Sequence, residues 1–426
     1  MKIRKIRIKN YKMFDDLELD FTDSNDGALD TIVLAGINGS GKTSILQLLA
    51  KIFSEAIPVQ GEIFIEFEST EIIINNLIEL MSIFMSEGTQ MNFGGKPLSF
   101  KKINSKLLKA IENERAIKVF TLNYKVDANN NPIVHDFILF TCFSSPLSKY
   151  FNILYFVCSS FDLNLIAVEK NSLIRLVDIF SHKKEIERYL VDSIINSVLK
   201  NREMSVKEAV DSRIKEINYL LKDVKLNTKL INITAEKAIF ESFNHKEISM
   251  DDLSSGEKQL YYRAVLLSQL NINNSLVLID EPETSLHPGW QKEIIKLYQN
   301  AGENNQLIIA THSPHIISTI DPKNLFVLNC DSTDNKVTIT NMEKEQKYTK
   351  GVEPNRILQE IMGMELRDDE TQERIDDYVT LLRQQPENRN TPENEEKLRQ
   401  LTADLGPQDP SIMRIQHQLF LLNRKR

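Results

Sequence analysis

Four short stretches of this chain place reactive side chains at spacings that suit phosphate chemistry. The first, Gly36-Ile37-Asn38-Gly39-Ser40-Gly41-Lys42-Thr43, is a glycine, four residues and then Gly-Lys-Thr. Glycines there, with Asn38 and Ser40 between them, let backbone N–H groups converge on phosphate oxygens, and a helix opening at Thr43 adds its positive N-terminal potential. Lys42 would neutralise β- and γ-phosphates and the Thr43 hydroxyl would hold Mg²⁺. The second stretch, Leu276-Val277-Leu278-Ile279-Asp280-Glu281, is an apolar run delivering two adjacent acids. Asp280 would reach Mg²⁺, commonly through water, and Glu281 would polarise the attacking water as general base. Alone, the pair would read as a strand end capped by solvated acids; beside the glycine loop it reads as an ATP and Mg²⁺ site. The third stretch, Leu253-Ser254-Ser255-Gly256-Glu257-Lys258-Gln259, opens a helix, so Ser254 and the N–H groups around Gly256 form a candidate anion site, with Ser255 and Glu257 in the same stretch. The fourth, Ala310-Thr311-His312-Ser313-Pro314, follows the apolar run QLIIA.

Sheets and helices must position these groups. Lys2 to Phe21 reads as two strands around a turn, Thr31 to Ala35 as a short strand, and Thr43 to Phe53 as a helix with Ile45, Leu46, Leu48, Leu49 and Ile52 at helical spacing. Strand habit returns over 229–240, followed by a helix from Gly256 to Leu270, a strand from Leu276 to Ile279, a helix from about Pro288 and a strand from Gln306 to Ala310. That alternation predicts an α/β fold with a mostly parallel sheet. The head is then discontinuous, over 1–60 and 230–340. Residues 61–229 complete it, with strands in GEIFIEFE, Phe120 to Val126, Phe137 to Cys142 and Ile153 to Val157, and with a helical lobe over 163–228 built from LIRLVDIF, KKEIERYLVDSIINSVL and VKEAVDSRIKEINYLL. Roughly 50 helical residues at about 1.5 Å each give hairpin arms of only about 35 to 40 Å, too short for a long coiled coil. Past Asn341 the composition turns charged and rich in Gln and Asn, predicting a helical C-terminal region over 341–426 for docking or oligomerisation, with Gln384 to Asn394 as a flexible connector.

Composition narrows the partners. A net charge of −8 gives no overall pull toward nucleic acid, although Lys2, Arg4, Lys5, Arg7, Lys9 and Lys12 leave a local DNA-binding patch open; their alternation with Ile3, Ile6 and Ile8 reads first as a strand with one solvated face. No apolar run is long enough for a membrane span and the start lacks a signal-peptide pattern, so the expected location is cytoplasmic. Cys142, Cys158 and Cys330 are scattered and are expected to be buried free thiols.

LSSGEKQ resembles the signature of ABC-class ATPases, in the form found among SMC-like and RecF-like members. EPETSLHP and the early NYKMF resemble the subset that includes overcoming-lysogenization-defect proteins and Septu anti-phage ATPases. The resemblance covers about 1–60 and 230–325. It implies an ABC-type phosphate-loop head, Tyr11 or Lys12 near the nucleotide, and His312 as a switch contacting γ-phosphate and water. It also implies a dimer closed head to tail, with Ser254 to Glu257 applied across it. A Septu-like protein would control a separate nuclease of the HNH type. Tyr155 to Ser160 holds no glutamine where the family has one, and nothing after His312 matches a TOPRIM metal site, so no nuclease is expected in the chain itself. A RecF-like DNA clamp and a slowly hydrolysing ATP-bound scaffold remain alternatives, and a transporter subunit is disfavoured.

Overall fold

The computed structural model describes residues 2–54, 62–68, 204–234, 237–270, 272–330 and 336–424. It also describes the strands at 91–93, 96–98, 119–126, 132–134, 153–157 and 174–178, and a few helical residues between 190 and 198. The chain divides into two compact units, Met1–Ile357 and Leu358–Arg426.

In chain order the strands of the first unit are β1 (Lys2–Tyr11), β2 (Phe14–Asp20), β3 (Thr31–Ala35), β4 (Glu62–Glu68), β5 (Met91–Phe93), β6 (Lys96–Leu98), β7 (Val119–Val126), β8 (Pro132–Val134), β9 (Ile153–Val157), β10 (Ile174–Asp178), β11 (Thr228–Ile233), β12 (Ala238–Ser242), β13 (Glu247–Ser249), β14 (Leu276–Asp280), β15 (Gln306–Thr311), β16 (Leu325–Cys330) and β17 (Val337–Asn341). The central sheet runs β10-β9-β14-β15-β3-β16-β17, parallel throughout except for the antiparallel edge strand β17. Every residue of β3, β14 and β15 is buried, as expected of parallel strands covered on both faces. Helix α1 (Lys42–Ser54) buries Ile45, Leu46, Leu48, Leu49 and Ala50 completely. Its apolar cluster takes in Ile6, Phe14 and Leu17 from an antiparallel sheet, β2-β1-β4-β7-β8, and Ile32, Leu278 and Ile308 from the parallel one. Two more helices, α2 (Val206–Leu220) and α3 (Ser255–Leu270), pack on each other, and α2 also packs on β11.

The basic start behaves as a strand with a satisfied charged face. Ile3, Ile6 and Ile8 are buried, Arg4 bonds Glu66 and Asp26, Arg7 pairs with Asp16, and Lys2 with Asp30. Three of the six cations that motivated a DNA contact are thus paired with acids of the chain itself.

Several expectations need correction. Ile174–Asp178 was expected within a helical lobe and is a strand parallel to β9, because a short apolar run is ambiguous between buried strand and helix. Val206–Leu220 is helical as expected, opened by a capping box between Ser205 and Glu208. The run at Phe137 to Cys142, and Cys142 and Cys158 themselves, lie outside the described residues. Cys330 is exposed, since the last two residues of β16 run beyond its pairing with β3. Residues between Asn341 and Ile357 group with the first unit: Thr349 donates to Ile320 O at 2.6 Å and Gly351 N–H to Ser318 O at 2.8 Å.

The second unit carries α4 (Asp369–Gln384), α5 (Pro392–Leu405) and α6 (Pro410–Arg424) around Ile375, Tyr378, Leu382, Leu401, Ile412 and Ile415. The expected flexible connector is an ordered 3₁₀ turn, Pro386–Asn390, leading into the N-cap Thr391 and Pro392. Proline at a first helical position after a threonine cap is a helix start, which reading the segment for polarity alone overlooks. Between α4 and α5 lies a half-open groove of about 480 Å³, floored by Leu381 and Leu401 and rimmed by Gln384, Gln385 and Gln400. No helix among the described residues is long and apolar enough to cross a membrane.

Candidate functional site

The glycine loop leaves β3 at the carboxyl edge of the sheet and enters α1. Gly36, Gly39 and Gly41 have φ of 146°, 82° and 98°, a region L side chains rarely adopt. Space is short as well: a Cβ on Gly36 would lie 2.4 Å from Leu328 O, and one on Gly41 would lie 2.6 Å from Phe14 Cζ. Lys42 folds over its own loop, donating from Nζ to Gly36 O and Ile37 O at 2.8 Å each. Burial pushes its ammonium pKa down, and Glu281, Glu283 and Asp280 oppose that fall. Ser40 Oγ is buried with no hydrogen-bond partner.

Strand β15 lies between β14 and β3, so the exits of all three adjoin, with Asp280 paired to Ala310 and Thr311 to Ala35. The register brings Thr43 to the acidic strand: its hydroxyl donates to Asp280 Oδ1 at 3.0 Å. Asp280 is 1% exposed, and burial pushes its carboxyl up to about 7. Glu281 turns out of the strand at a left-handed φ of 48°, with its N–H on Ala310 O at 2.9 Å. His312 Nδ1 stands 3.5 Å from Glu281 Oε1, within ion-pair reach. That neighbour holds His312 above its usual pKa, and His312 holds Glu281 below the usual carboxylate range. Glu281 is therefore ionised at neutral pH, as a general base requires.

The signature residues are arranged differently from a bare anion site. Ser254 and Glu257 form a capping box: Ser254 Oγ accepts from Glu257 N–H at 3.3 Å, while Glu257 Oε2 accepts from Ser254 N–H at 3.1 Å and from its hydroxyl at 2.7 Å. Thr228 donates to Glu257 Oε1 at 3.0 Å. Ser255 is the first residue of α3. Gly256 makes room for an aromatic ring, since a Cβ there would lie 2.5 Å from Trp290 Cζ3. Trp290 in turn donates its indole N–H to Lys225 O at 2.9 Å. Gly256→Ala is expected to push the ring off this bond and destabilise the fold by about 1 to 3 kcal/mol. Trp290 is the chain's single tryptophan, so its fluorescence would shift with the loss in melting temperature.

Tyr11 is buried at 6% exposure with its hydroxyl unpartnered, so Lys12 is the one of the pair that reaches over the start of α1, donating to Gln47 Oε1 at 3.1 Å. The side chains against the loop itself, Met13 and Phe14, were not singled out from the sequence.

Residues 1–317 match the AAA_15 family, described as an AAA ATPase domain. The chain belongs to the AAA_15 family. Curated relatives include the retron Vc95 probable ATPase of Vibrio cholerae serotype O1 biovar El Tor, 23% identical over 77% of this chain and 74% of that protein. The retron Ec83 probable ATPase of Escherichia coli is 24% identical over 77% and 71%. The Septu protein PtuA of Bacillus mycoides (strain KBAB4) is 25% identical over 73% of this chain but 38% of its own length. Among solved structures, the SMC head domain from Thermotoga maritima aligns at 14% identity with a TM-score of 0.43, covering 80% of this chain and 99% of that one.

As an AAA_15 ATPase domain the protein must accommodate a nucleotide, with Mg²⁺ its usual companion, and the donor set fits both. A hydroxyl and a buried carboxylate oxygen held 3.0 Å apart are hard oxygen ligands of the kind Mg²⁺ takes, and the unpartnered Ser40 hydroxyl sits in the loop that would cradle phosphates. Bound there, the cation would neutralise charge on the phosphates. A pH test follows for the metal-free protein. Because the folded pKa of Asp280 lies above its ordinary 3.8, its stabilising contribution is full below that value and is lost as pH rises toward about 7. Asp280→Asn should raise the metal-free melting temperature by a few degrees at pH 8, raise it less at pH 5, and cancel the stabilisation given by ATP and Mg²⁺.

Proposed function

We propose that this ATPase holds ATP and Mg²⁺ between the loop 36–43, Asp280 and Glu281. It closes head to tail on a second copy, presenting Ser254 to Glu257 across the dimer, and so controls a separate nuclease effector in anti-phage defence. The observation that carries the reading is the meeting of Thr43 with Asp280 at 3.0 Å, beside Glu281 and His312, at the exits of three adjacent parallel strands. Ligand sites of open α/β sheets lie at such carboxyl edges. In the proposed roles Lys42 binds phosphate, Thr43 and Asp280 hold Mg²⁺, Glu281 activates water and His312 contacts the γ-phosphate and water.

Control of a separate effector draws support from the retron and Septu names of the relatives. The C-terminal unit offers the docking surface, with its groove and the exposed Met364, Leu366 and Met413.

The test is size-exclusion chromatography with light scattering on the protein co-expressed with its genomic neighbours, with and without ATP and Mg²⁺, using the Glu281→Gln form to retain the closed state. A stable complex with a nuclease-like neighbour upholds the effector reading. An ATP-dependent dimer with no companion rejects it and leaves an ATPase acting alone.

A further inference from the structure

His312 stands between two carboxylates, and only Glu281 has so far been given a task. Its Nδ1 is 3.4 Å from Glu283 Oε1, about as close as the 3.5 Å to Glu281 Oε1. Glu283 is 5% exposed, and a buried carboxylate is costly unless donors surround it. One of its oxygens has them. Oε1 accepts from the Thr311 hydroxyl at 2.6 Å, from His312 N–H at 2.9 Å and from Ser313 N–H at 3.0 Å. Those donors make up the whole turn that leaves β15 and carries the imidazole. Ser313 passes the restraint on, its hydroxyl accepting from Ile316 N–H at 3.3 Å and donating to Gln291 Oε1 at 2.7 Å. The second oxygen, Oε2, is buried with no partner. A single carbonyl oxygen would serve to brace the turn, whereas the carboxylate also sets a negative charge 3.4 Å from the imidazole.

The chain links the two acids tightly. Glu283 follows Glu281 by two residues, and Glu281 N–H bonds Ala310 O on the neighbouring strand. The exits of β14 and β15 are thus clamped to each other on both sides of the histidine. Nδ1 makes no hydrogen bond of ordinary geometry, but two carboxylate oxygens stand at ion-pair distance from it, so a proton is favoured there and Nε2 is left as the ring's acceptor, able to accept from water but not from a phosphate oxygen.

Resting on the reading of this site as hydrolytic, we propose that Glu283 is a positioning residue: it fixes the Thr311 to Ser313 turn and keeps the proton on His312 Nδ1, so that Nε2 is left to accept from the water beside the nucleotide. Glu283 acts through His312 and does not itself touch the reacting atoms.

Two substitutions separate its charge from its shape. Glu283→Gln keeps a carbonyl oxygen for the turn's donors and removes the charge; Glu283→Ala removes both. In the Gln variant kcat should fall about tenfold to a hundredfold with KM within about threefold, as for loss of an aid to proton transfer. The ring-nitrogen NMR shifts of His312 should move toward a mixture of tautomers. Combining Glu283→Gln with His312→Gln should be no slower than His312→Gln alone, because the two act as one unit. Additive losses in that cycle, or unchanged His312 ring shifts in Glu283→Gln, would overturn the proposal. If the wild-type protein shows no turnover, the hydrolytic reading fails, and the ring shifts still decide whether Glu283 sets the tautomer.

Discussion

Lys42→Ala should leave a folded protein that has lost ATP binding. The side chain is 6% exposed and is held by two carbonyl oxygens of its own loop, Gly36 O and Ile37 O. Three acids, Glu281, Glu283 and Asp280, act on it electrostatically, so without a nucleotide Lys42 is the cation that offsets a cluster of negative charge. A bound triphosphate brings far more negative charge to the same place, and removing the cation leaves phosphates and carboxylates in direct repulsion. Truncating one partner of a desolvated charge pair costs about 2 to 5 kcal/mol, which is about thirtyfold to several thousandfold in Kd. Calorimetric titration with ATP and Mg²⁺ reads this directly. An affinity within a few fold of wild type would remove Lys42 from the phosphate site. The melting temperature serves as the control, since the variant also loses two loop hydrogen bonds and a modest decrease is expected from them alone.

Much of the head was legible because its signals are local. The glycine loop lies between an apolar strand and a helix with an uninterrupted apolar stripe, and Asp280 follows a run of four apolar residues; spacing alone placed both, and the parallel sheet followed from the alternation of strands and helices. Legibility failed where a residue's role depends on a partner distant in sequence. Gly256 looked like a phosphate-approach glycine, yet the atom closest to its missing side chain belongs to Trp290. Glu283 seemed part of a loop motif, and only the adjacency of β14 and β15 brings it to Thr311, His312 and Ser313. The Ser254–Glu257 capping box is legible in the Ser-x-x-Glu spacing of a stretch that opens a helix, and it competes with the reading of the same residues as a ligand site. Ile174–Asp178 failed for another reason: five residues are too few for helical and strand periods to separate.

Glu281→Gln should stop turnover while preserving nucleotide binding. The substitution keeps the size of the side chain and an oxygen facing His312 Nδ1, now 3.5 Å away, but removes the negative charge that accepts a proton from water. His312 holds the native carboxyl below its usual range, so at neutral pH the wild-type side chain is a carboxylate and the variant differs by a whole charge. General-base assistance is worth about 10² to 10⁴ in rate, and a fall of that size in phosphate release is the expected result. Binding should change little, because Lys42, Thr43, Asp280 and the loop amides remain and one fewer negative charge faces the phosphates. The strained backbone supports the assignment: a non-glycine residue at φ 48° directly after a buried strand is tolerated where the site dictates the direction of the side chain. Equal turnover in variant and wild type, with both well above background, would show that water is activated elsewhere. A wild-type rate already near background that rises only with a co-purifying partner would instead place Glu281 under that partner's control, and the same substitution should then abolish the stimulated rate.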